Sequence, residues 1–235
     1  MVYRKELPRI KVAFAAVALM AASISAVGGT VSAATNTQNQ SIDSSMSAPG
    51  QVKKESQAAS DLRAGLKTLL QEHVTTNLTV NRLIVQQAPE AELQVALDAQ
   101  EANSAALAGA VASVYGEKAG DAFFDLFQEH IEESNNFAEA IAAGDEEAKA
   151  EAQVELEEYL VDITDFLVAA INGSDETYAT VLGLLEQHEM LINQSTETFA
   201  SENFGQSKRI EIQAVKQIAV IADALASGII ANQKL

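Results

Sequence analysis

Histidine occurs three times in this chain, at His73, His130 and His188. The three stand 57 and 58 residues apart and close similar stretches: Leu69-Leu70-Gln71-Glu72-His73, Leu126-Phe127-Gln128-Glu129-His130 and Leu184-Leu185-Glu186-Gln187-His188. Three neutral imidazoles with an open fourth position form a ligand set that zinc or copper accepts. Glu72, Glu129 and Glu186, one or two residues before each histidine, add carboxylates that could ligate, accept an imidazole N–H or relay a proton. The expected metal group is therefore His73, His130, His188, Glu72, Glu129 and Glu186, with Asn103, Asp162 and Asp223 as partners from the returning helices. Two plainer readings use the same residues. Each ring could pack at the core edge with its nitrogens bonded to Glu or water, or imidazoles charging between pH 5 and 8 could tighten or loosen a helical bundle.

These groups can meet only if the chain brings three distant segments together, and the repeat supplies a way. Aligned on histidine, the position seven earlier is Leu66, Phe123 or Val181, and the position eleven later is Ile84, Ile141 or Phe199. On a helical period, positions 0, −4, −7 and −11 share a face, which groups His73 with Leu69, Leu66 and Leu62 and sets His130 near Phe127, Phe124 and Phe123. The imidazoles should point at the core or line its edge. Ala, Leu, Glu and Gln abound, alternating strand-type runs are lacking, and Pro89 is the one proline after the first 50 residues. This predicts an all-α domain.

Breakers at Pro89, Gly116, Gly144, Gly173 and Gly205 divide it into helices over 60–87, 90–115, 117–143, 145–172, 175–201 and 206–232. Ser174 is the expected N-cap of the fifth, and Asp61 is placed in the first turn of the first. A period near 57 fits two helices and their turns. The fold expected is an up-down bundle of six helices, built as three tandem antiparallel hairpins over 60–116, 117–173 and 174–232. Packing of these hairpins about a pseudo-threefold axis would let the histidines converge.

Ahead of the bundle, residues 1–33 have the form of a secretory signal. Arg4, Lys5, Arg9 and Lys11 precede an apolar run from Val12 to Val27, and Val31-Ser32-Ala33 offers a cleavage site, with Ala34 as the neighbouring choice. Residues 34–56, rich in Ser, Thr, Asn, Gln and Ala, are expected to be a flexible polar tether, with the helical domain filling 57–235. Contact with a membrane is expected only through an uncleaved signal, which is marginal as a span.

Loss of the signal's four basic residues and one acid takes the formal charge from −18 to −21. Such a charge repels nucleic acid and anionic lipid and favours cations or a basic envelope or protein partner. Cysteine is absent, so apolar burial must stabilise the domain without disulfides, and roughly 175 periodic residues suffice. Enzyme motifs are missing: there is no nucleophile elbow, phosphate loop, dinucleotide-binding glycine pattern or His-Glu-x-x-His helix. The Glu-x-x-His arrangement of di-iron bundles also fails, because each Glu turns away from its imidazole's face. Acidic runs such as Asp145-Glu146-Glu147 and 155–158 lack the alternation of a calcium loop and suit solvated helix faces.

Glu72-His73-Val74, Val114-Tyr115-Gly116-Glu117, Glu129-His130-Ile131 and Ala222-Asp223-Ala224-Leu225 with Gly228-Ile229-Ile230 occur in that order. Together with Asn103, thirteen residues before Gly116, they resemble a family of small exported or envelope-associated helical proteins of bacilli and related bacteria. The resemblance spans about Leu62 to Gln233 and implies an exported helical bundle. Relatives carry His-Glu-His where this chain has Glu186-Gln187-His188, and a further histidine where Val215 stands, which implies an altered centre here. Some bear a glycosyltransferase label, an activity expected on a larger α/β fold rather than on this one. The sequence thus points to a secreted or envelope helical-bundle protein, non-enzymatic, with a Glu/His cluster for a metal ion or small ligand. The alternative is a structural or interaction module with packed histidines, and an enzyme comes third.

Overall fold

The computed structural model describes residues 55–235. The expected signal (1–33) and nearly all of the expected tether (34–56) lie outside the described residues. Six helices follow one another: α1 (Gln57–Val85), α2 (Glu90–Tyr115), α3 (Glu117–Ala143), α4 (Glu146–Ala170), α5 (Asp175–Ala200) and α6 (Phe204–Gln233). The described residues contain no strand.

Local chemistry sets the ends. The Ser56 side chain accepts from the Ala59 amide, so α1 starts three residues before the expected Ser60. Asp61 therefore lies in the second turn, not the first, and accepts from the Gln57 side chain. Ser174 is the N-cap of α5, as expected, and forms a reciprocal capping box with Thr177. Asp145 caps α4 by accepting from the Glu147 and Ala148 amides, which accounts for the first residue of that acidic run.

Gly116 and Gly144 take positive φ at the α2–α3 and α3–α4 turns, as helix-ending glycines do. The other two expected glycine stops behave differently. Asn172 and Glu202, not Gly173 and Gly205, adopt the left-handed conformation, and Gly205 lies inside the first turn of α6. Gly173 serves close approach instead: a Cβ there would come within 2.8 Å of Thr177 Cγ2 and 3.0 Å of Val168 Cγ1.

The helices alternate in direction and in place. The odd helices α1, α3 and α5 all contact one another and form an inner triangle. Each even helix fills an outer groove: α2 between α1 and α3, α4 between α3 and α5, α6 between α5 and α1. The three hairpins thus enclose one axis, as the repeat predicts. A salt bridge of 2.8 Å from Arg82 to Glu211 joins α1 to α6, where the last hairpin meets the first.

Along that axis the interior changes character. A large apolar cluster includes Leu70, Phe123, Phe127, Ile163, Leu191 and Leu225. A small one, Val80, Ile84 and Ala138, lies further toward the C-terminal ends of the odd helices. Between them sits a buried polar band, described below. Among the described residues α6 alone is long and apolar enough to cross a membrane, with a mean hydropathy of 1.6 over its most apolar window. Its Ile210, Ala214, Ile218 and Ile221 belong to the large cluster.

Phe137 is fully buried in α3. Phe137→Ala is expected to lower unfolding free energy by about 3–5 kcal/mol in urea titration, the loss typical of a large core side chain. Val95, exposed on α2, is the control: Val95→Ala should shift stability by less than about 0.5 kcal/mol. Equal effects of the two would contradict the packing described.

Candidate metal centre

Each odd helix carries its histidine near the middle and presents it to the axis. All three histidines are at most 3% exposed. His130 Nε2 lies 3.3 Å from His73 Nε2. One donor nitrogen from each histidine can be chosen so that all three lie within 4.8 Å of one another. The His73 and His188 ring centroids are 5.7 Å apart, and those of His130 and His188 6.4 Å. Aromatic neighbours fix the rings: Tyr159 stacks on His130 at 4.9 Å, and the Phe127 and His73 rings meet edge-on at 4.9 Å.

Two nitrogens bound at about 2.0–2.1 Å to a tetrahedral ion stand about 3.3 Å apart. The His73–His130 separation already has this value, while His188 stands somewhat further out. Glu189 completes the group. Its Oε1 is 3.4 Å from His130 Nδ1 and 3.9 Å from His188 Nε2. His130 thus turns one nitrogen to His73 and the other to a carboxyl group. That is the orientation in which a carboxylate fixes a metal-binding imidazole's tautomer.

Burial keeps every member of the cluster uncharged near neutral pH. It depresses His130 to about 3, assisted by His188, and His188 to about 4. His73 is held well below the usual imidazole range by burial, then by His130 and His188. Glu189 is pushed up to about 8 by the same desolvation. Neutral imidazole is the ligand form, so the lone pairs are in place. Hydrogen bonding within the chain leaves His130 Nδ1, both nitrogens of His188 and Glu189 Oε2 unsatisfied. Each such buried atom costs about 1–3 kcal/mol.

The expected carboxylates do not take part. Glu72, Glu129 and Glu186 are exposed, because one or two residues before an inward histidine a helix points its side chain outward. Asp162 is also exposed, close enough to Glu129 to raise that carboxyl after burial has done so. Asp223 is half-buried and pairs with Arg63 at 3.6 Å. Asn103 is buried but donates to the Leu69 carbonyl, four residues before His73. Gln217 does the same for the Leu184 carbonyl, four residues before His188. Two returning helices therefore brace the histidine turns without reaching the rings.

Glu189 escaped the sequence reading, although the repeat holds its signal. The residue after histidine is Val74 in the first hairpin and Ile131 in the second, both buried, and an acid replaces them in the third. One to two turns further along the axis, Asn81 Nδ2 contacts Asn77 Oδ1, Ser134 Oγ and Thr196 Oγ1 at 3.1–3.3 Å. Ser134 also donates to Asn77. This second polar layer closes the centre on that side.

Titration of the metal-free chain should expose the cluster. The histidines protonate near 6.5 when unfolded but only near 3 to 4 at His130 and His188 when folded, so stability is lost as pH falls below about 6.5. Glu189 has the opposite sign: it ionises near 4.5 unfolded and near 8 folded, so stability falls as pH rises between those values. Tyr159, also facing the cluster, is raised well above 10 and stays outside this window. Glu189→Gln is therefore expected to abolish the decline in Tm between pH 6.5 and 8 and to keep the acid decline. Superimposable profiles for the two proteins would contradict the burial of that carboxyl.

Comparison with protein-family models, curated proteins and solved structures finds no match, so the reading of this centre rests on its own geometry.

Proposed function

We propose that the protein binds one divalent transition-metal ion, zinc or copper, through His73, His130 and His188, and does so as a secreted or envelope-held helical bundle. The observation that carries this reading is His188. Both of its nitrogens are buried and unsatisfied beside two other converging imidazoles and a buried carboxyl. A cation at the axis accepts all three lone pairs and draws Glu189 toward its ionised form. Glu189 then orients His130 through Nδ1 and offsets the ion's charge. Export rests on the signal-like residues 1–33, and the bacterial envelope setting rests on the family resemblance. The acidic exterior favours cationic partners and raises the local concentration of metal ions.

A purely structural reading draws on one observation: the 3.3 Å His130–His73 contact can be a hydrogen bond between neutral rings. It leaves His188 and Glu189 without a reason to be buried. Elemental analysis and calorimetric titration of the untagged chain at pH 7.5 decide between the two. One zinc or copper per chain is expected, with binding lost in the His73→Ala, His130→Ala double variant. Glu189→Gln should weaken it about 10–100-fold. A folded chain that takes up no metal supports packing alone.

A further inference from the structure

The histidine layer has two unlike sides. Toward the C-terminal ends of the odd helices it is closed by the Asn77, Asn81, Ser134 and Thr196 layer. Toward their N-terminal ends it borders a cavity of about 90 Å³, whose wall includes His73, His130, His188 and Glu189. The rest of that wall is apolar apart from Tyr115 and Tyr159. Leu66, Leu107, Phe123, Ile163, Ile221 and Leu225 are buried around it. It ends at the half-buried ring of Val111, Tyr115, Leu167, Ala170, Ile171 and Ile229, at the end of the bundle that holds the α2–α3 and α4–α5 turns.

Dry apolar cavities of this order hold xenon or small hydrocarbons rather than water. The open position of an ion on three imidazoles would face this chamber, since the other side is filled. We infer that the chamber is a ligand site for a short aliphatic molecule, of about three or four carbons, with one metal-ligating atom at its end. The donor end of this inference rests on the metal reading, whereas the apolar body rests on the cavity alone. A charged or branched polar ligand is excluded by the wall, which offers its body no hydrogen-bonding side chain along most of its length.

The two parts are tested separately on the full chain. Xenon is titrated into the metal-free protein while methyl resonances of Leu66, Leu107, Ile163 and Leu225 are followed. Saturable shifts confined to these residues are expected, and their loss in Ala170→Phe, which plugs the mouth, with Val111→Phe as second plug should the first misfold. Unsaturable or scattered shifts overturn the chamber. The cobalt-loaded protein is then titrated with methanethiol, ethanethiol, 1-propanethiol and 1-hexanethiol, and with 2-mercaptoethanesulfonate as a charged control. Affinity read from the cobalt spectrum should rise about fourfold per methylene up to propyl, the gain of burying each in an apolar wall, and fall again at hexyl. Sulfonate binding as tight as that of 1-propanethiol overturns the inference by showing a polar route to the ion. No cobalt uptake overturns the donor end and the metal reading together, leaving the xenon result to judge the chamber.

Discussion

Everything in this bundle depends on what can be placed on the axis between three central helices. Each turn of α1, α3 and α5 delivers about one side chain per helix to a space largely shielded from water, so each level must be satisfied by its neighbours on the axis. Most levels solve this with Leu, Phe and Ile. One level holds three imidazoles instead, and the next two together hold two asparagines, a serine and a threonine, with Ile192 and Ala138 at the remaining places. The asparagine layer satisfies itself in part through mutual hydrogen bonds, leaving Asn77 Nδ2 and Asn81 Oδ1 without partners. The histidine level has the larger deficit, with His130 Nδ1, both nitrogens of His188 and Glu189 Oε2 unsatisfied, and the aromatic walls, the neighbouring carboxyl and the chamber all surround it.

Desolvation and the proposed coordination would act together here. Burial prevents the imidazoles from charging, which would otherwise drive them apart, and the same burial keeps Glu189 largely protonated near neutral pH. A dication with three neutral donors and one ionised carboxylate beside it is far less costly in such an interior than an isolated ion. The returning helices contribute by position rather than chemistry. Asn103 and Gln217 donate to carbonyls one turn before His73 and His188, and Tyr159, from the remaining hairpin, stacks on His130.

The architecture was legible in sequence wherever a local rule had no competitor. The helix pattern, the breakers and the 57-residue spacing of the histidines gave six helices in three hairpins, and the same spacing put the imidazoles at one level. Helix ends slipped by up to three residues, where Ser56 capped α1 early and where Gln87, Asn172 and Glu202, not glycines, took positive φ. The carboxylates failed for a clearer reason. Glu72, Glu129 and Glu186 matched one another across the repeat, but helical period turns residues so close to an inward histidine toward solvent. The useful carboxyl, Glu189, was the residue that broke the repeat. The chamber was not readable at all, since a void depends on how side-chain volumes from six helices sum.

X-ray absorption at the zinc edge of the zinc-loaded full chain tests the central claim most directly, because it reports the atoms around the ion itself. The account requires a first shell of four nitrogen or oxygen atoms at about 2.0–2.1 Å with outer-shell scattering from three imidazoles. A shell of oxygen atoms without imidazole scattering would place the ion among surface carboxylates and contradict it.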